Sequence, residues 1–329
     1  MSDRAPPTRV VVTAPARLHL GFLDLNGELG RKFGSIGLSV SSPRTVLTIG
    51  FASRSEIVGP ERERVQRLLE RMQLLLGLRG TYRVTLDEAI PAHAGLGSGT
   101  QLALAVAAGL RRLHDLPPDP RGDAVRLWRG ARSGVGIGLF EQGGVIVDGG
   151  HGASAGPAPI IARLPFPEPW RIIVVLDHAR QGLHGAKERE AFAGLPPLAS
   201  ETADRLCRLV LIKALPALVE RDLAAFGAGI KEMQQWLGDY FAPAQGGHRF
   251  TSPRVGSCLD VLDRAGACGT GQSSWGPTGF AFAPSAPEAE RLAQLAREHS
   301  AAKGLDILVC TGLNDGAHIA VHMTADAPL

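Results

Sequence analysis

Long apolar runs, aromatic rings, paired cysteines and net charge are all scarce in this 329-residue chain, and each scarcity removes a class of function. No uninterrupted apolar stretch approaches the roughly 20 residues a membrane-spanning helix needs, so no membrane partner is expected. Residues 1–8 lack the apolar core of a signal peptide. Cys207, Cys258, Cys268 and Cys310 are scattered without CxxC spacing, which argues against a zinc knuckle or a disulfide framework. A reducing cytoplasm is the expected compartment. With a formal charge of +3, 5% aromatic residues and two tyrosines, there is neither a basic stripe nor a stacking platform. Nucleic acid is therefore not an expected partner.

Glycine is what the chain has in excess: 41 residues, beside 23 prolines, with no Gly-X-Y period. About half of the glycines fall in four short segments, 21–37, 95–99, 130–150 and 266–279. Glycine permits positive φ and lets a ligand approach the backbone closely. Taken singly, each segment reads as a turn. Four together read as loops lining one site.

The rest of the chain carries ordinary secondary-structure signals. Residues 10–13, 17–23, 46–49 and 83–86 read as strands, the first two separated by Pro15. Residues 61–76 place Val65, Leu68, Leu69, Met72, Leu75 and Leu76 at helical spacing. Residues 101–113 are apolar all round, which predicts a buried helix. A short helix is predicted over 119–129 and a hairpin over 139–148 with Gly143-Gly144 as its turn. Strands are expected at 171–177, 278–283, 306–310 and 317–322. Helices are expected at 200–219, 222–237, 253–264 and 287–298. Grouped rather than alternating elements predict an α+β fold. The Gly-, Ala- and Pro-rich stretch 149–169 marks the domain boundary, giving domains 1–165 and 166–329.

The most informative segment is Ile90-Pro91-Ala92-His93-Ala94-Gly95-Leu96-Gly97-Ser98-Gly99-Thr100-Gln101. A strand ends, a glycine turn follows, and hydroxyl residues open the buried helix. Unpaired N–H groups and the positive end of the helix dipole make such a place attractive to phosphate, although a plain helix cap has the same composition. The segment has neither the lysine of GxxxxGK[ST] nor the third glycine of GxGxxG.

Pro-x-x-x-Gly-Leu-Gly-Ser before an alanine-rich helix resembles the phosphate-loop motif of the GHMP kinase superfamily. Ala14-Pro15-Ala16-Arg17-Leu18-His19-Leu20-Gly21 resembles its N-terminal motif, and residues 271–279 (GQSSWGPTG) resemble its C-terminal glycine loop. The resemblance implies a two-domain fold, an N-terminal domain like ribosomal protein S5 and a C-terminal α/β domain. Gly99 stands where the kinases usually carry a second hydroxyl. The fuller wording is similar to one non-kinase branch, β-ribofuranosylaminobenzene 5'-phosphate synthase of methanopterin biosynthesis. Residues 17–27, Gly30-Arg31, 95–102, 132–138, 140–151, 185–192 and 272–278 carry that closer resemblance.

The implied reaction condenses phosphoribosyl pyrophosphate with 4-aminobenzoate and releases pyrophosphate and CO2, with Mg²⁺ and without ATP. Gly95, Leu96, Gly97, Ser98, Gly99, Thr100 and Gln101 are expected to bind phosphate. Asp24 is the expected carboxylate beside an oxocarbenium-like ribosyl centre, with Arg31 as its catalytic companion. Arg17, Arg31 and Arg132 compete for phosphates and carboxylate as bidentate donors. His19, His93, Ser273, Ser274, Trp275 and Gly276 are expected to line the substrate pocket, Trp275 as one wall of a ring slot. Asp148 and Glu141 are second choices for the carboxylate beside the ribosyl centre, and either could instead hold Mg²⁺. 4-Hydroxybenzoate differs from the expected acceptor by one polar atom. A homodimer is implied by relatives of the family. Two alternatives share the fold: an ATP-dependent small-molecule kinase and a non-catalytic sensor.

Overall fold

The computed structural model describes residues 7–153, 156–183 and 185–323. Its first half is strand β1 (Pro7–Asp24), strand β2 (Phe33–Phe51), strand β3 (Glu56–Val58), helix α1 (Arg62–Leu76) and strand β4 (Tyr82–Glu88). Helices α2 (Ser98–Leu113), α3 (Pro120–Arg126) and α4 (Val135–Gln142) follow, then strands β5 (Val145–Asp148) and β6 (Ile160–Leu164). Strands β1 and β2 form one long antiparallel pair. Pro15 does not divide β1: it sits at a register shift, opposite Arg44 while Ala16 is opposite Val40. A proline, lacking an N–H, is tolerated at such an irregularity.

The hairpin expected over 139–148 is instead the end of α4, a Gly143-Gly144 turn and β5. A short apolar run does not distinguish a buried helix from a strand. Here glycine decides it. A Cβ on Gly138 would lie 2.8 Å from Ile160 Cδ1, so the bare helix face packs directly on β6.

The second half is strand β7 (Arg171–Leu176), helices α5 (Gly185–Gly194), α6 (Ser200–Leu209), α7 (Leu215–Glu220), α8 (Leu223–Phe241) and α9 (Pro253–Arg264), and strands β8 (Cys268–Gln272) and β9 (Thr278–Ala283). Helix α10 (Ala286–Glu298) and strands β10 (Asp306–Cys310) and β11 (His318–Met323) complete it. A π-helical turn over Val210–Ala214 joins α6 to α7, so the run expected as one helix is nearly continuous.

Two sheets result. The first runs β11-β1-β2-β4-β3, with β5 joined to β2 and β6 to β5; the second is antiparallel in the order β10-β7-β9-β8. The expected boundary falls between β6 and β7, but β11 crosses back to pair with β1 in the first sheet. Val10, Val12, Leu47 and Ile49 bury against α1 and α2. Further along the same two strands, Leu18, Leu20, Ile36 and Leu38 bury in a core shared with α6, α8, Phe280 and Phe282. A third core lies between β7, β9, α9 and α10. The long β1–β2 pair therefore spans both halves, and the glycine loops converge where the halves meet.

Candidate active site

The phosphate loop connects β4 to α2. Gly95 and Gly97 take φ values of 81° and 77°, and Gly97 begins α2 without a side-chain cap. The first N–H groups of α2 are thus left for an anion, in the field of the helix dipole. The loop's shape is fixed from beneath by Arg17. Its Nη1 donates to the Gly95 carbonyl at 2.8 Å, and its backbone N–H donates to Leu96. A Cβ on Gly97 would stand 2.6 Å from Arg17 Cγ, so glycine there lets the buried arginine approach. Burial lowers the Arg17 pKa to about 10, with Glu188 pulling the other way.

The C-terminal glycine loop locks onto the phosphate loop. Ser273 Oγ donates to the Gly95 carbonyl at 2.7 Å and accepts from the His19 N–H at 3.0 Å. Thr278 Oγ1 donates to the Ala94 carbonyl, and the Ser274 N–H to that of His19. Added Cβ atoms would lie 2.2 Å from the Ser273 oxygen at Gly95 and 2.1 Å from the Ala94 oxygen at Gly276. Three segments far apart in sequence are therefore one rigid unit. Trp275 packs on Phe241 and Phe192, and His19 on Phe22. Burial, then the charge of Arg17, hold the His19 imidazole well below its usual pKa.

Charge gathers on two further sides. Arg132 pairs with Glu188 at 2.5 Å and lies over the Phe192 ring. On the outer side, a Cβ on Gly99 would be 2.8 Å from Arg64 Nη2 and 3.2 Å from Arg129 Nη1, so two guanidinium groups flank the start of α2. They belong to an open groove of about 860 Å³, lined also by Arg62, Arg67, His93, Glu61 and Glu63, in which Arg64 pairs with Glu61 at 3.3 Å. Arg129 Nε is buried without a partner, and burial together with the Arg64 charge lowers the Arg129 pKa. Sequence reasoning gave no role to Arg64, Arg129 or Glu188. Glu188 lay inside a segment carrying the family resemblance; Arg64 reads only as the polar face of an amphipathic helix.

The remaining expected residues are placed as follows. Asp24 ends β1 and its Oδ1 accepts from the N–H groups of Asn26 and Gly27. Arg31 donates to the carbonyls of Gly149 and Gly150, both at 2.7 Å, binding the first glycine cluster to the third. Gln101 is turned from the loop toward α4, donating to the Gly136 carbonyl. The carbonyl of His93 accepts from Gly182. Asp148 is fully buried and accepts from Ser35, Ser133 and the N–H groups of Gly134 and Gly150. Glu141 pairs with Arg121 and lines a separate groove with Arg111 and Asp123. These two acids are not brought together, and Asp148 has its lone pairs committed to the protein. As placed here neither acid is a free ligand for Mg²⁺: Asp148 is bonded within the protein and Glu141 is paired with Arg121. Among the described residues no cluster of three His, Cys, Asp or Glu could hold a metal ion, and no helix is long and apolar enough to cross a membrane.

Comparison with known proteins fits this geometry. The family profile for the GHMP kinases N terminal domain matches residues 63–143, and that for GHMP kinases C terminal matches 214–301. The β-ribofuranosylphenol 5'-phosphate synthase of Methanothermobacter thermautotrophicus is 33% identical over 84% of this chain and 90% of that protein. The enzyme of the same name from Archaeoglobus fulgidus is 33% identical over 93% of this chain and 98% of its own. Among solved structures, homoserine kinase from Cytophaga hutchinsonii superposes with a TM-score of 0.71 at 19% identity, covering 97% and 99% of the two chains. Mevalonate diphosphate decarboxylase from Staphylococcus aureus gives 0.65 at 13% identity, covering 95% and 98%. At those identities the likeness is one of fold.

Proposed function

This chain belongs to the β-ribofuranosylphenol 5'-phosphate synthase family on the GHMP kinase fold, and from that premise we propose that it is a decarboxylating phosphoribosyltransferase. The substrates are phosphoribosyl pyrophosphate and a 4-substituted benzoate: 4-aminobenzoate as the motif resemblance implies, or 4-hydroxybenzoate as the phenol in the relatives' name implies. The anomeric C–O bond breaks and its electron pair leaves with diphosphate. The carboxylated ring carbon bonds to the anomeric carbon, and the C–CO2 bond then breaks, returning its pair to the ring.

One observation carries this reading: an uncapped helix start flanked by Arg64 and Arg129 at Gly99, a place suited to leaving diphosphate. Two forked cations near the anion stabilise charge that grows on the leaving oxygen. Mg²⁺ enters with the diphosphate as part of the substrate. The proposed carboxylate beside the ribosyl cation is Asp24, fixed by its turn, with Arg31 holding the loop opposite; Glu188 anchors Arg132 for the carboxylate or 5'-phosphate. A homodimer in a reducing compartment completes the proposal.

The test is to incubate the protein with phosphoribosyl pyrophosphate, Mg²⁺ and carboxyl-labelled benzoates and to trap CO2. Release without ATP is the expected result, strongly reduced in Asp24→Asn. Absence of release, together with ATP turnover on an alcohol, overturns the reading in favour of a kinase.

A further inference from the structure

Helix α5 lies lightly on the protein. Among its described side chains only Glu188, Ala191 and Phe192 are partly buried, and the others are exposed. Glu188 and Phe192 are one helical turn apart, so they lie on one face. Phe192 stands in a nest of four rings, Phe22, Phe33, Phe241 and Trp275, with centroids 5.3–6.1 Å away and each ring steeply edge-on to it. Arg132 serves both residues. It pairs with the Glu188 carboxylate at 2.5 Å, and its guanidinium carbon lies 4.9 Å from the centre of the Phe192 ring. Glu188 also stands close enough to the buried Arg17, beneath the phosphate loop, to raise its pKa against the effect of burial. The helix begins at Gly185 and ends at Gly194, where no neighbour lies within 4 Å of an added Cβ, and Gly185 takes a φ of 61°. The cavity left between Phe22, Phe241 and Trp275 measures only about 30 Å³, room for one water and for no ring.

We propose that α5 occupies the acceptor site: the Phe192 ring and the Glu188 carboxylate stand where an aryl carboxylate binds, and the substrate displaces both together. A benzoate carries the same two groups on one small molecule. Its ring takes over the edge-on contacts of Phe192 with the four surrounding rings, and its carboxylate takes the Arg132 fork from Glu188. Neither contact of α5 is strong. The ion pair joins side chains that are 26% and 22% exposed, so solvent screens it, and a helix with glycine at both ends swings out by rotation at those ends. No ring fits beside Phe192, so the site opens only as the helix leaves. The place suits the reaction, because Glu188 and Arg17 set it next to the phosphate loop and hence to the diphosphate of the donor. In the empty protein α5 keeps an aromatic wall out of water, and the apparent affinity for the acceptor falls by the fraction of molecules with the helix in place.

This inference rests on the reaction proposed above for its choice of ligand, and its test does not need turnover. Binding of 4-hydroxybenzoate and 4-aminobenzoate, with and without inorganic diphosphate, is measured by calorimetry on the full chain and on Phe192→Ala, Glu188→Gln and Arg132→Gln. Removing the occupant is expected to tighten binding, about tenfold in Phe192→Ala and about threefold in Glu188→Gln, while Arg132→Gln weakens it about tenfold. Amide hydrogen exchange over residues 185–194 is expected to quicken in the wild type when either benzoate saturates it. Weaker binding in Phe192→Ala and Glu188→Gln would make these residues a wall and an anchor of the site, and overturns the proposal. So does binding that is absent or unchanged in the variants, or exchange in α5 that slows or stays the same. If the benzoates bind in the expected pattern and release no CO2, the reaction reading falls and the site stands. If CO2 is released while neither occupant variant binds more tightly, the site falls and the reaction stands.

Discussion

The two sides of the phosphate loop are built on opposite principles. Toward α1 the loop faces an open, arginine-lined groove, where Arg64 and Arg129 crowd the start of α2. Toward the C-terminal glycine loop it faces a small aromatic pocket of about 30 Å³, where the buried His19 Nε2 and Trp275 Nε1 have no hydrogen-bond partner. One side gathers several arginines, of which Arg64 pairs with Glu61 and Arg67 with Glu63; the other is mainly aromatic. A single loop thus separates an arginine-bearing groove from an aromatic pocket.

The strongest way to break this arrangement is to remove the hinge both sides share. In Gly95→Ala the new methyl meets the Ser273 oxygen at 2.2 Å on a residue with φ of 81°. We expect a loss of about 2–4 kcal/mol of stability and the disappearance of CO2 release, measured by chemical denaturation and by the trapping assay. A variant with wild-type stability would mean that the loops are not one unit. The next effect is confined to the charged side. Arg64→Gln and Arg129→Gln should each raise KM for phosphoribosyl pyrophosphate about tenfold and leave that of the benzoate unchanged. A shift in both constants would show that the two sides are coupled.

The smallest effect reads the closed side through pH. The folded protein holds His19 well below its usual pKa, whereas the unfolded chain binds the proton near pH ~6.5. Between those two values the unfolded state carries more protons, so stability falls as pH falls below about 6.5. His19→Gln should lose less stability than the wild type when urea midpoints are compared at about pH 7.5 and pH 5.5. Parallel losses would mean that His19 gains a proton in the folded state.

How much was legible in the sequence follows the same division. Helices with a clear apolar face, such as α1, were readable because periodicity is local. The phosphate loop was readable for the same reason: glycines, hydroxyls and a buried helix lie in a dozen consecutive residues. Arg64 was not, because its meaning comes from Gly99, 35 residues later, across a contact between α1 and the start of α2 that no local pattern encodes. The run 139–148 misled because the short apolar stretch before Gly143-Gly144 reads as a strand, while the contact of Gly138 with β6, which favours a helix, leaves no local mark. Asp148 was legible as an acid in a glycine cluster but not as a buried acceptor of four hydrogen bonds that orders residues 133–150. Sequence indicates which chemistry is present; contact decides whether it faces the substrate or the scaffold.

Strand β11 has a consequence for how the molecule comes into being. It closes the outer edge of β1, yet it is made last, after every element of the second sheet. During synthesis the first sheet must wait, with a row of open backbone groups along β1, until residue 323 has left the ribosome. Removal of residues 318–323 would leave a chain whose phosphate loop is complete in sequence while its scaffold is a template for pairing with another chain.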